Sequence, residues 1–115
     1  MLPLTLRANG LQHVAAALVD SGADVNVLPW SIGASLGFVW EPNKATIRVT
    51  GIAQGAAMPV LLSTDFGDVQ EATLAFAWCQ TDSVPLVLGQ TNFFMEFDIC
   101  FFKSRSEFQI VRRSV

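Results

Sequence analysis

Asp20 has the most unusual setting of any carboxylate in the chain. It ends the apolar run Ala16-Ala17-Leu18-Val19 and opens a turn, Ser21-Gly22, that continues into Ala23 and Asp24. The run is strand-like and should be buried, yet an acid is costly to bury without partners. Ser21 offers a hydroxyl for a local hydrogen bond. Gly22, with no side chain, lets neighbouring backbone or a bound molecule approach closely. Such a turn would hold a carboxylate at the floor of a cleft, where it could take a proton from water or return one to a leaving group. The plain alternative is an ordinary strand-ending Asx turn.

The other reactive side chains lack a comparable setting. The single histidine, His13, follows an Asn9-Gly10 turn and reads as an exposed strand residue; Ser-His or Cys-His catalysis would rest on it alone. Cys79 and Cys100 sit inside apolar runs without metal-ligand spacing, which predicts two free, buried thiols in a reducing compartment. Asp65 and Asp68 read as solvated turn residues, and Asp82 falls in a polar Thr81-Asp82-Ser83 turn. Like Asp24 and Asp98, they lack the Ser/Thr-Gly that follows Asp20. A two-carboxylate mechanism would therefore take its second Asp20 from another chain.

The elements that must position Asp20 are short strands. Residues 2–8 and 12–19 form a hairpin around Asn9-Gly10, because both turn residues tolerate positive φ. After Asp20 come a short run over 25–28 closed by Pro29, and a brief helix over 32–36 capped by Ser31 and ended by Gly37. A polar turn, Glu41-Pro42-Asn43-Lys44, leads to a strand over 45–50 and a Gly-tipped hairpin, Gly51-Ile52-Ala53-Gln54-Gly55. Strands follow over 58–64 and 72–80, then an apolar strand ending on Gly89 with a short helix from Thr91, and closing strands over 96–102 and 107–111. Many short strands with closely spaced turns predict one all-β domain, closed or sandwich-like.

Composition narrows the classes further. With 51% hydrophobic residues, nine Phe and three Trp against 15% charged, the chain is globular and apolar enough to expect a partner, most simply a second copy. A net charge of −3, with only Lys103, Arg105, Arg112 and Arg113 gathering at all, argues against nucleic acid. No apolar run approaches the ~20 residues of a membrane span. The first residues lack the order of a signal peptide, so a cytoplasmic location is expected.

Together, Asp20-Ser21-Gly22-Ala23 after two apolar residues, the Gly-tipped hairpin, and Leu86-Val87-Leu88-Gly89 resemble the retropepsins, the single-domain aspartic proteases of retroviral type and their cellular and bacterial relatives. The likeness spans residues 4 to 111 or so. It implies a retropepsin-like closed β-barrel (the acid-protease fold) with one or two short helices, working as a homodimer on extended polypeptide substrates without metal or cofactor. Each subunit would lend Asp20 to a shared site. Ser21 would bond across the two-fold axis, and Gly22 would offer its backbone to the carboxylate or to substrate. Ala23 and Asp24 would flank the bound peptide, Val27 and Val87 would line side-chain pockets, and Gly51, Ile52 and Ala53 would form a closing flap tip. Cleavage beside large apolar side chains is the expectation. Two features depart from the viral pattern: Gln90 stands where those proteins often carry Arg, and the flap has fewer glycines. Two other classes compete with the endopeptidase. One is a catalytically silent module of the same fold that dimerises or binds peptides; the other is a β-barrel for a small ligand, which leaves the Asp motif without a role.

Overall fold

The computed structural model describes residues 1–48, 55–67 and 71–89, together with the backbone of two strands beyond them, Phe97–Phe102 and Glu107–Arg112. The chain opens with β1 (Leu2–Ala8) and β2 (Leu11–Val19), antiparallel from Leu2↔Ala17 to Ala8↔Leu11. Both residues of the connecting turn have positive φ, +54° at Asn9 and +73° at Gly10, as a two-residue hairpin turn requires. There follow β3 (Asn26–Leu28), a helix α1 (Trp30–Ser35), a 3₁₀ turn (Pro42–Lys44), β4 (Ile47–Arg48), β5 (Ala56–Asp65), β6 (Ala72–Trp78) and β7 (Val87–Leu88). The strands beyond, β8 (Phe97–Phe102) and β9 (Glu107–Arg112), pair antiparallel as a separate ribbon. The expected helix from Thr91 lies outside the described residues.

Six strands close into a barrel in the order β1-β2-β7-β3-β6-β5, with β5 returning to β1 through Thr5↔Asp65, Leu6↔Thr64 and Arg7↔Ser63. The two-residue β4 pairs with the start of β5, Ile47↔Ala57 and Arg48↔Ala56. The fold is thus an all-β closed barrel with one short helix. Closure removes the sheet edges a small open β domain would leave unpaired. Period-two alternation fills the inside: Met58, Val60 and Leu62 of β5, and Ala72, Leu74, Phe76 and Trp78 of β6, meet Leu4, Leu6, Ala17, Leu28, Leu86 and Leu88 in one buried cluster.

One end of this core is aromatic. Trp30 stacks on Trp78 at 4.6 Å between ring centres and 4° between planes, while Trp40 meets both edge-on. The Trp78 indole N–H donates to the Trp30 carbonyl at 3.1 Å. A β-carbon on Gly33 would lie 2.2 Å from Trp78 Nε1, so the helix lies on the indole only because residue 33 has no side chain.

The ends of α1 differ from expectation. Ser31 does not cap the helix but lies inside it; Pro29 holds the N-cap position without a side-chain bond. The Ser31 N–H instead donates at 2.8 Å to Oδ1 of Asp82, 51 residues away. Asp82 therefore does more than fill a polar turn. The C-terminus ends at Gly37 as expected, with φ +83°, the Phe38 N–H on the Gly33 carbonyl and the Gly37 N–H on that of Ala34. Asn9, from the first hairpin turn, donates its side-chain amide to the freed Leu36 carbonyl at 2.9 Å.

Outside the barrel, Arg7 bridges the closing seam, 3.3 Å from Asp65 and 3.5 Å from Glu71. Asp65 is thus not merely solvated. The Gly67 N–H donates to it at 2.8 Å and, with Arg7, holds its carboxyl below the ordinary value; Asp68 lies outside the described residues. His13 is half-buried opposite Leu6, rather than fully exposed. Cys79 is free and buried, and burial pushes its thiol up, so it stays protonated at neutral pH. Cys100 lies outside the residues whose side chains are described.

Two outcomes follow from this packing. Because the folded pKa of Asp65 is depressed, its contribution is present above the ordinary unfolded value of about 3.9 and is lost as pH falls through the folded value. Asp65→Asn should therefore lower the melting temperature at neutral pH, and the gap from wild type should close on acidification. A gap that stays constant with pH would remove the charge as the cause. Gly33→Ala should cost about 2–3 kcal/mol in urea unfolding, since the stacked Trp78 ring has no free direction in which to move.

Candidate active site

Strand order explains why the Asp20 turn sits where it does. β7 lies between β2 and β3, parallel to β2 (Leu18↔Val87, Val19↔Leu88) and antiparallel to β3 (Val27↔Val87). The connection from β2 to β3 therefore passes over the C-terminal end of β7. Leu18 N–H donates to the Leu86 carbonyl at 2.8 Å, and Asp20 N–H to the Leu88 carbonyl at 3.0 Å, so the ladder runs up to the carboxylate itself. At the crossing, a β-carbon on Gly89 would lie 2.5 Å from the Val25 carbonyl oxygen and 2.7 Å from that of Ala23. Both contacts are backbone and cannot swing aside. The two sequence motifs, far apart in the chain, are in contact here.

The turn itself is tight. Gly22 N–H donates to Asp20 Oδ1 at 2.9 Å, and Ala23 N–H to the Asp20 carbonyl at 3.1 Å. Asp20 is half-buried, whereas Ser21, Gly22 and Asp24 are exposed and Ala23 is half-buried. The local bond expected of Ser21 is made by the Gly22 amide instead; among the described residues the Ser21 hydroxyl has no partner. Oδ2 of Asp20 likewise accepts no hydrogen bond from the described residues. Among the described residues, then, one carboxylate oxygen is fixed by backbone and the other has no partner.

Val27 and Val87 do not line an open pocket in the single chain. They are 1% and 0% exposed, packed with Ala57, Ala77, Cys79 and Val84 in a second cluster. Being one residue out of phase with Leu28 and Leu88, they face away from the main core. The half-buried side chains packed over them are Ala23, Val25 and Ile47. Gly51, Ile52 and Ala53 lie outside the described residues; the antiparallel strands β4 and β5 flank that segment.

Asn26 was not singled out by its type or spacing, yet it is 0% exposed and bonded on both sides of its carboxamide. Its signal in the sequence was a lone amide inside Val25-Asn26-Val27-Leu28, which an apolar strand has no reason to carry. His13 is remote from this site: it lies seven residues from Asp20 along the extended β2, roughly 23 Å at 3.3 Å per residue. Among the described residues no group of three or more His, Cys, Asp or Glu gathers to hold a metal ion, and no helix is long and apolar enough to cross a membrane.

No protein-family model matches the chain, and no curated protein or solved structure is significantly similar to it.

The two glycines at the site should respond differently to a methyl group. Gly89→Ala meets fixed carbonyls and should cost about 3 kcal/mol or more in denaturant unfolding. Gly22→Ala meets only Asp20 Oδ1, at 3.2 Å, so it should leave stability within about 1 kcal/mol of wild type. Equal losses at both positions would refute the crossing geometry.

Proposed function

We propose that this chain is an aspartic endopeptidase of the retropepsin type, active as a homodimer that pairs one Asp20 from each subunit. The observation that carries the reading is the Asp20 turn. Its carboxylate is fixed at Oδ1 by the Gly22 amide, has no partner at Oδ2 among the described residues, and follows the parallel β2–β7 ladder at the end where Gly89 lets the loop cross. A structural Asx turn makes the first bond, but gives no reason for the loop that carries it to pack backbone on backbone against the second motif.

In the dimer, two such carboxylates close together resist double ionisation and hold a single proton between them. The ionised member takes a proton from water as the water oxygen attacks the peptide carbonyl carbon. The protonated member gives its proton to the carbonyl oxygen, and a tetrahedral diol results. Proton transfer to the amide nitrogen then accompanies cleavage of the C–N bond, releasing a carboxylic acid and an amine and restoring the shared proton. The exposed Ser21 hydroxyl is free to brace the partner's turn. An extended peptide bound across the two turns would bond its backbone in strand fashion.

Cleavage of an unbiased peptide mixture from about pH 4 to about pH 8, at several protein concentrations, tests this reading. Asp20→Asn should lower cleavage on the order of 10³-fold with little change in melting temperature. Wild-type specific activity should fall on dilution, because the site exists only in the assembled pair. Cuts that survive Asp20→Asn, or an active monomer, would sink the proposal. A stable dimer that cuts nothing at any pH would leave a peptide-binding module of the same fold.

A further inference from the structure

The loop that carries Asp20 is fastened at both ends to a single peptide group. The carbonyl of Leu88 takes the Asp20 N–H at 3.0 Å. The N–H of that same peptide group belongs to Gly89 and donates to Oδ1 of Asn26 at 2.8 Å. Asn26, the first residue of β3, stands where the loop ends. Its other amide atom, Nδ2, donates to the Ala75 carbonyl in β6 at 3.0 Å. The bonds run head to tail, from the Asp20 amide through the Leu88–Gly89 peptide and the Asn26 carboxamide to β6. Each amide accepts on one side and donates on the other, so their polarisations add in one sense.

A side chain is needed here because the ladder has run out. β3 and β7 share one register pair, Val27↔Val87, and Gly89 lies beyond it, buried under the crossing loop. An apolar residue at 26, which the surrounding run would suggest, leaves the buried Gly89 N–H without an acceptor. It also frees the Leu88–Gly89 peptide to tilt, and any tilt moves the carbonyl on which the Asp20 amide rests. A carboxamide supplies acceptor and donor on two atoms held in one rigid plane; a hydroxyl has both on a single atom and does not span the two partners, and an ionised acid has no donor.

We infer that Asn26 is a positioning residue of the candidate active site: it fixes the plane of the Leu88–Gly89 peptide and thereby the placement of Asp20, without touching substrate or the reacting atoms. The catalytic consequence rests on the protease reading above; the mechanical one does not. Asn26→Val and Asn26→Asp separate the two. Amide hydrogen exchange would be read at Gly89 and Asp20, with the β5–β6 amides as internal reference. Steady-state kinetics on a cleavable peptide would be measured about 20 °C below each protein's own melting temperature.

In Asn26→Val, exchange at Gly89 and Asp20 should rise about tenfold or more relative to β5–β6. The kcat should fall roughly 10- to 100-fold, with KM within about threefold of wild type. In Asn26→Asp, the neutral acid reproduces both donor and acceptor. At acidic pH exchange and kcat should therefore match wild type at the same pH, and both should depart from it as the buried acid ionises. This arm remains readable if Asn26→Val does not fold. Exchange that rises evenly over the barrel, a kcat loss that vanishes once melting temperature is matched, or Asn26→Asp without pH-dependent rescue would each overturn the assignment. If wild type cuts no peptide, the protease reading fails while exchange still decides on Asn26: faster at Gly89 and Asp20 alone supports it, and unchanged there overturns it.

Discussion

The connection between β2 and β3 has to cross a strand that lies between them, and it crosses in contact with the α-carbon of Gly89. That contact sets the spacing of everything nearby. With no side chain at residue 89, the carbonyls of Ala23 and Val25 settle against β7, and the loop is pulled down onto the barrel end. A lower loop brings the Asp20 amide within reach of the Leu88 carbonyl and lets Asn26 enter the interior with its amide satisfied. Backbone packing against backbone tolerates no compromise, because neither partner has a rotamer to change.

The rest of the molecule is an apolar frame with a few polar fasteners at its joints. Asn9 ties the first hairpin to the end of α1, Asp82 ties the last described loop to its start, and Arg7 spans the seam where β1 meets β5. The Arg7 pairs are part-exposed and screened by solvent, so they add little to stability. Their value lies in register: β1 and β5 share only three residue pairs, and an ion pair across so short a joint opposes slippage. The bulk of the stabilisation comes from the interior, where fully buried Leu and aromatic side chains each contribute about 1.5–3 kcal/mol relative to exposure.

Features governed by neighbours in sequence were legible without the fold. Asn9-Gly10 announced a turn because few other residue pairs accept positive φ at both positions, and apolar runs over 58–64 and 72–80, parted by a polar turn, announced the strands β5 and β6. Features governed by distant neighbours were not. Ser31 had the right chemistry for a cap, yet its own amide is served by an aspartate brought in by the fold, and that of Trp30 by the neighbouring Thr81 carbonyl. Val27 and Val87 had the right positions for a cleft, but a second layer of small apolar side chains covers them in the single chain. Asn26 carried the faintest mark of all, one amide among valines, because its two partners become neighbours only when three strands are in place.

Strand order also dictates when the site comes into being. The Asp20 turn is made early in the chain, but the strand it rests on ends at Leu88 and the acceptor for Asn26 is on β6. During synthesis, a ribosome-bound chain can complete the first hairpin and the β5–β6 pair while the carboxylate still lacks its support. Local pairs of that kind form quickly, whereas parallel contacts between remote segments wait on loop closure. The candidate site is therefore assembled after most of the barrel, by the arrival of β7 between β2 and β3. The Asp20 turn is thus seated only once the barrel is nearly closed, and whatever unseats β7 unseats it as well.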